Sequence, residues 1–218
     1  MKLKVSKKTL EKIRKTILKK DKEMATDSNA FELKKVRTGE FRVSYPSVFE
    51  ANVFPGQEPK YSITMLFPKK QGVKELLTAA QAAAEEKWGP KYTAILNKIK
   101  GTKNWPFHDG DTEKVGQENY EGMVYVKASS KKAPVVLDQQ KRLISIEDGN
   151  FKSFYAGCYA KAVVIAYTYD NTFGQGLGFS LQALQKQRDG EPFSTRKPVE
   201  DDFDTVGVED NSAFELGL

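Results

Sequence analysis

Alternation of apolar and polar positions dominates this chain, and it is most sustained from Tyr155 to Tyr169, YAGCYAKAVVIAYTY. Tyr155, Tyr159, Lys161, Val163, Ile165, Tyr167 and Tyr169 share one parity. Ala156, Cys158, Ala160, Ala162, Val164, Ala166 and Thr168 share the other. A period of two in β-branched and aromatic residues predicts a strand. Roughly 15 residues at ~3.3 Å each would run ~50 Å if straight, too far for a small sheet. A strand that bends at a glycine or bulge, and so joins two parts of a curled sheet, accommodates that length. Gly157 permits the bend. The pattern predicts a small barrel and leaves open which parity faces outward, since a bulge would switch it partway.

Shorter runs repeat the signal. Phe41, Val43 and Tyr45 alternate with Glu40, Arg42 and Ser44, and Pro46 predicts a strand end. Tyr61, Ile63, Met65 and Phe67 share a face. Val124, Val126 and Ala128 form an apolar parity opposite Met123, Tyr125, Lys127 and Ser129. Val135–Leu137 is a short run, 138–150 a loop or hairpin, and 171–176 a glycine-rich turn. Leu177, Phe179, Leu181 and Ala183 make a last inward parity.

The period changes once. Val73, Leu76, Leu77, Ala80, Ala84 and Trp88 trace a helical stripe through strong helix formers, ended by Gly89-Pro90. A second helix is expected over Tyr92–Ile99. This insertion at 73–99 is expected to cover one barrel opening. Residues 100–121 read as loop. At the N-terminus Leu10, Ile13, Ile17 and Met24 fit one helical stripe with a basic back, or a frayed arm. The domain reading is a basic arm at 1–30, a β domain at 31–198 and an acidic tail at 199–218.

Charge sharpens that division. The 218 residues carry a net +6, but 199–218 hold seven of the 29 acidic residues and no Lys or Arg. The rest has 35 basic against 22 acidic residues, a balance of +13. A basic body favours polyanions. The single Cys158 excludes an internal disulfide, and one His with one Cys argues against a His/Cys structural zinc site. A reducing compartment follows from the cysteine usage. No apolar run reaches the length of a membrane span, and the basic N-terminus lacks a secretory h-region.

Catalytic motifs are sparse. Asp109, Asp111 and Glu113 could hold a divalent cation, although EF-hand spacing fails and DGD is also an ordinary turn. No phosphate-binding loop, dinucleotide fingerprint or HExxH occurs. His108 has no nucleophile at triad spacing. Cys158 reads as packed core. No cofactor is expected.

Nucleic-acid binding has a better pattern. Single strands are held by cations that track phosphates and by rings that stack on bases. Tyr125 with Lys127, and Tyr159 with Lys161, interleave rings and ammonium groups on strands. Lys103, Trp105 and Phe107 do so in the loop. Trp105, Phe107, Tyr125 and Tyr159 are therefore the expected stackers. Lys69, Lys103, Lys127, Lys131, Lys132 and Lys161 are the expected phosphate contacts. In the tail, Asp201, Asp202, Phe203, Asp204 and Phe214 combine carboxylates with isolated rings. Such a segment could mimic phosphates in a basic groove or dock on another protein.

Six stretches in order then resemble a known family: VRTGEFRVSYPSVFEA, YSITMLFPK, WPFHDGD, GMVYVKASSKKAPVVLD, YAGCYAKAVVIAYTYDN and GLGFSLQALQKQRDGEPF. Together they resemble the phage single-stranded DNA-binding proteins of the DUF2815 type, from about Val36 to Phe193. The resemblance implies an OB-fold, a five-stranded Greek-key barrel, here with the helical insertion. It also implies sequence-tolerant binding of single-stranded DNA in phage replication or recombination, in the cytoplasm of the host bacterium. The tail looks like those that recruit replication enzymes. A homodimer stays open. The rival readings are a metal-dependent nuclease using Asp109, Asp111 and Glu113, and a phage structural or assembly protein that binds no DNA.

Overall fold

The computed structural model describes residues 31–53, 55–56, 58–172 and 174–193. The expected basic arm and acidic tail, with Asp201, Asp202, Phe203, Asp204 and Phe214, lie outside the described residues. The strands are β1 (Lys35–Arg37), β2 (Phe41–Asn52), β3 (Lys60–Pro68), β4 (Phe107–Asp109), β5 (Met123–Ser130), β6 (Val135–Leu137), β7 (Tyr159–Asn171) and β8 (Gly174–Arg188). The helices are α1 (Lys74–Trp88), α2 (Tyr92–Ile99) and α3 (Gly110–Glu113).

Five pairings close on themselves. β2 pairs β3 and β3 pairs β5, both antiparallel. β5 pairs β8 in parallel, and β8 pairs β7 antiparallel. β7 returns to β2 through Phe41 opposite Ala160 and Arg42 opposite Tyr159. The Gly157 N–H to Val43 carbonyl bond extends this seam at 2.8 Å. A ring of five strands with one parallel pair is the expected barrel, and closure removes the exposed edges of those strands. β1 adds to β7, β6 to β8 and β4 to β5 outside the ring.

The core fills the ring. Phe41, Val43, Ile63, Met65, Phe67, Val126, Val164, Phe179, Leu181 and Leu184 are all buried. The long strand resolves its own ambiguity: Ala160, Ala162, Val164 and Ala166 face inward throughout, and the tyrosine and lysine parity faces outward. Its small inward residues leave room for the large side chains opposite. Cys158 is fully buried among them, and burial raises its thiol pKa.

The bulges fall elsewhere than expected. Val163 opposes Ala183 and Val164 opposes Leu181, so Gln182 is the extra residue and the bulge belongs to β8. Inward parity therefore passes from Leu177, Phe179 and Leu181 to Leu184, and Ala183 is only half-buried. β2 likewise continues past Pro46 instead of ending there. Ser44 opposes Thr64 and Ser47 opposes Ser62, which leaves one extra residue at Tyr45–Pro46. Pro46 has no N–H to donate, and a bulge is where a strand tolerates that.

The helical insertion forms as the stripe predicts. Leu76, Ala79, Ala80, Ala83 and Ala84 of α1 join the barrel core, while Leu77 turns outward. Trp88 and Tyr92 pack at the margin of that core. No helix among the described residues is long and apolar enough to cross a membrane.

Candidate nucleic-acid interface

Across the outside of the barrel run three depressions that share walls. The central one, about 530 Å³, lies over β3 and β5 and is lined by Lys60, Ser62, Thr64, Lys114, Lys127 and Ser129 among others. It shares Tyr125, Lys127 and Ser129 with a second, lined by Lys103, Trp105, Tyr167 and Gly178. At its other side it shares Tyr45, Asn52 and Tyr120 with a third, which reaches Ala156 and Phe193. Together they make one furrow with lysines along it and rings at both ends.

The Trp105 end is built by a loop pinned to β8. Leu177 donates its N–H to the Asn104 carbonyl at 3.1 Å, and the Asn104 amide donates to the Gln175 carbonyl at 3.0 Å. This holds Lys103 and Trp105 over the barrel. Trp105 lies 5.2 Å from Phe107, whose ring meets buried Phe179 edge-on at 5.7 Å. Phe107 thus anchors Trp105 to the core. Tyr167, 42% exposed, lies against Gly178, where a Cβ would sit 2.8 Å from the ring. Glycine there lets the ring lie flat on the neighbouring strand.

Tyr125 departs from its expected role. It is 3% exposed, because the segment from α3 to Met123 covers that face of β5. Its ring stacks on His108 at 4.8 Å and meets Tyr120 edge-on at 5.4 Å. Its hydroxyl donates to Glu113 at 3.1 Å. Burial first, then the Glu113 charge, pushes its pKa up to about 12. Tyr125 is a prop beneath the furrow rather than a free stacking face. Lys127 lies 5.9 Å from that ring with its ammonium exposed.

Several expected contacts are drawn elsewhere. The Lys69 ammonium sits 2.6 Å from both Asp109 and Asp111. Asp109 also accepts from the Asp111 N–H, and Asp111 from the Gly122 N–H. Two of the three carboxylates weighed as a cation site therefore clamp Lys69 and the turn. The third, Glu113, is held by His108 and Tyr125. Lys131 pairs with Glu58. Tyr159 is capped by the Arg188 guanidinium, 3.3 Å from its ring centre, and Arg188 also bonds Glu40 at 2.8 Å. Lys69, Lys131, Lys132, Lys161, Phe107 and Tyr159 line none of the three depressions. Of the expected contacts, the furrow gathers Lys103, Trp105, Tyr125 and Lys127.

Comparison with known proteins places this architecture. The model of the single-stranded-DNA-binding protein family of Enterobacter phage Enc34 matches residues 34–213. The chain belongs to that family. A family relative, protein p50 of Acyrthosiphon pisum secondary endosymbiont phage 1, is 33% identical over 165 residues, covering 73% of this chain and 86% of p50. The solved single-stranded DNA-binding protein of bacteriophage Enc34 is 24% identical with a TM-score of 0.58, covering 78% of this chain and 90% of that one. The same protein solved with single-stranded DNA gives 0.57 at 23% identity, over 74% and 90%. The gp2.5 single-stranded DNA-binding protein of bacteriophage T7 gives 0.52 at 15%, over 80% and 97%. These likenesses carry the barrel fold.

For this family member, sequence reasoning missed Tyr45, Lys60, Lys114 and Arg42. Parity groups Tyr45 with Phe41 and Val43, which are buried, but the bulge turns it out to 62% exposure. Lys114 shows no strand pattern and reaches the furrow only because the loop folds over β5. Arg42 holds the far end: its guanidinium lies 4.4 Å from the Phe193 ring and donates to the Glu191 carbonyl at 2.9 Å.

Proposed function

We propose that this chain binds single-stranded DNA along the furrow, with little sequence preference, and protects it during phage replication or recombination in the cytoplasm of the host bacterium. The observation that carries the reading is the run of adjoining depressions whose linings hold Lys60, Lys103, Lys114 and Lys127 together with Tyr45, Trp105 and Tyr167. Rings accept any base and lysines accept any phosphate, so affinity comes without a sequence code. The family relative from phage Enc34 was solved with single-stranded DNA. Asp109 and Asp111 serve Lys69 and the loop backbone, which favours binding without catalysis.

The acidic tail, in this reading, competes for the furrow and recruits replication or recombination proteins. Support comes from Phe193, which lies at one end of the furrow just before residues 194–218 begin. The test is a titration of labelled single- and double-stranded oligonucleotides at two salt concentrations. Tight single-strand binding that falls steeply with salt supports the reading, and equal preference for duplex overturns it. Truncation after Pro198 is expected to tighten binding. Unchanged affinity on truncation would remove the tail from the furrow.

A further inference from the structure

Two non-glycine residues among those described have a positive φ, Tyr45 at 45° and Lys141 at 63°. Lys141 sits in a tight turn, where the Asp138 carboxylate accepts from the N–H groups of Gln140 and Arg142. The turn accounts for it. Tyr45 has no such turn. It lies inside β2, with buried Val43 before it and buried Val48 after it. A bulky residue in the left-handed region within a strand is held there by its surroundings against its own preference.

What holds it is the bulge. Tyr45 and Pro46 together face the one residue Ile63, between Ser44 opposite Thr64 and Ser47 opposite Ser62. Ser44 is buried on the outer face beneath the segment that covers Tyr125, where its hydroxyl and the Tyr120 hydroxyl share a hydrogen bond at 2.9 Å, which fixes the base of the bulge. The ring is thereby thrown outward at the junction of the central depression and its Phe193 end. No hydrogen bond or ring contact to a described residue occupies it. Strain of this kind collects where a protein holds a side chain ready for a ligand.

We infer that Tyr45 is the stacking platform for an unpaired base at that junction, and that β2 is bulged in order to present it. Lys60, Lys114 and Lys127 in the same depression meet the flanking phosphates. The inference rests on the proposed function and adds to it the residue that holds the base. It also separates binding from stability in opposite directions. Asparagine tolerates the left-handed conformation but has no ring.

The experiment compares wild type, Tyr45→Asn and Tyr45→Phe in the full chain, using a labelled oligothymidylate and thermal melts. Tyr45→Asn is expected to weaken binding about 5- to 140-fold, the loss of one stacked base. Its melting temperature is expected to hold or rise by about 2–4 °C as strain is relieved. Tyr45→Phe keeps the ring and is expected to bind within about twofold of wild type. Undiminished binding by Tyr45→Asn overturns the inference alone. Weaker binding accompanied by a lower melting temperature overturns it too, because Tyr45 would then be structural. If wild type itself fails to bind, the proposed function fails and this inference falls with it.

Discussion

Lys69 Nζ and Asp111 Oδ2 lie 2.6 Å apart, and the same ammonium is equally close to Asp109. The three side chains tie the end of β3 to the turn that begins α3, and that turn covers Tyr125. Hydrogen bonds from Lys69 hold both carboxyl groups below their ordinary value of 3.8. The Asp111 N–H helps at Asp109, and the Gly122 N–H at Asp111. A lowered folded-state value means the unfolded chain takes up protons first as pH falls. The clamp therefore stabilises fully above about pH 4 and is lost progressively below it. Lys69→Met is expected to flatten that acid limb. Melting temperature measured from pH 6 to pH 2.5 in both proteins checks this, and parallel curves would remove the clamp from the acid response.

The two tryptophans should report differently. Both pack half-buried against the core, Trp88 from the end of α1, but of the two only Trp105 lines the furrow. Single-stranded DNA is expected to quench Trp105 emission by stacking. The quench should persist in Trp88→Phe and vanish in Trp105→Phe. Trp105→Ala should also cost about 1–3 kcal/mol of binding. Quenching that survives Trp105→Phe would place the strand elsewhere.

Salt dependence distinguishes lysines in the furrow from those outside it. Each phosphate contact adds about 0.7 to the slope of log affinity against log salt for single strands. Lys127→Ala and Lys60→Ala are each expected to reduce the slope by about that amount. Lys161→Ala is expected to leave it unchanged, because Lys161 lies opposite Gln185 on the β7–β8 layer and lines no part of the furrow. Equal slopes for Lys127→Ala and wild type would contradict the phosphate assignment.

These contrasts mark what periodicity can carry. Inward positions such as Val43, Ile63, Val126 and Phe179 were legible because a strand's side chains alternate strictly and a barrel interior admits only apolar ones, whereas the two parities of 155–169 are both apolar enough to leave its inward face open. The α1 stripe was legible for the matching reason at a period of 3.6. Tyr45 and Ala183 were misplaced because one inserted residue reverses every later side chain, and nothing local marks the insertion. Tyr125 was misplaced because alternation predicts two faces but not what folds over the outer one. Lys69 and Lys131 look like free cations in a sequence, since their partners Asp109 and Glu58 come from segments far away along the chain. Trp105 and Lys103 were found by composition alone, and only the Asn104 anchor explains why their loop is held over the barrel.

Closure of the barrel depends on a residue with no side chain. Gly157 donates its N–H to the Val43 carbonyl, and Val43 donates to the Cys158 carbonyl, both at 2.8 Å. Its φ is +112°, and a Cβ there would fall 2.1 Å from the Glu191 carbonyl oxygen and 2.9 Å from Pro192 backbone. Neither obstacle is a side-chain tip that could swing aside. Gly157→Ala is therefore expected to destabilise the fold by about 1–3 kcal/mol, through both a forbidden dihedral and overpacking. The displaced strand is the one carrying Cys158, which is fully buried in the intact seam. Urea unfolding should show the lower stability, and a thiol reagent should label Cys158 faster in the variant than in wild type. Loss of stability without faster labelling would mean that the strain is absorbed in 189–193 and the β2–β7 seam stays shut.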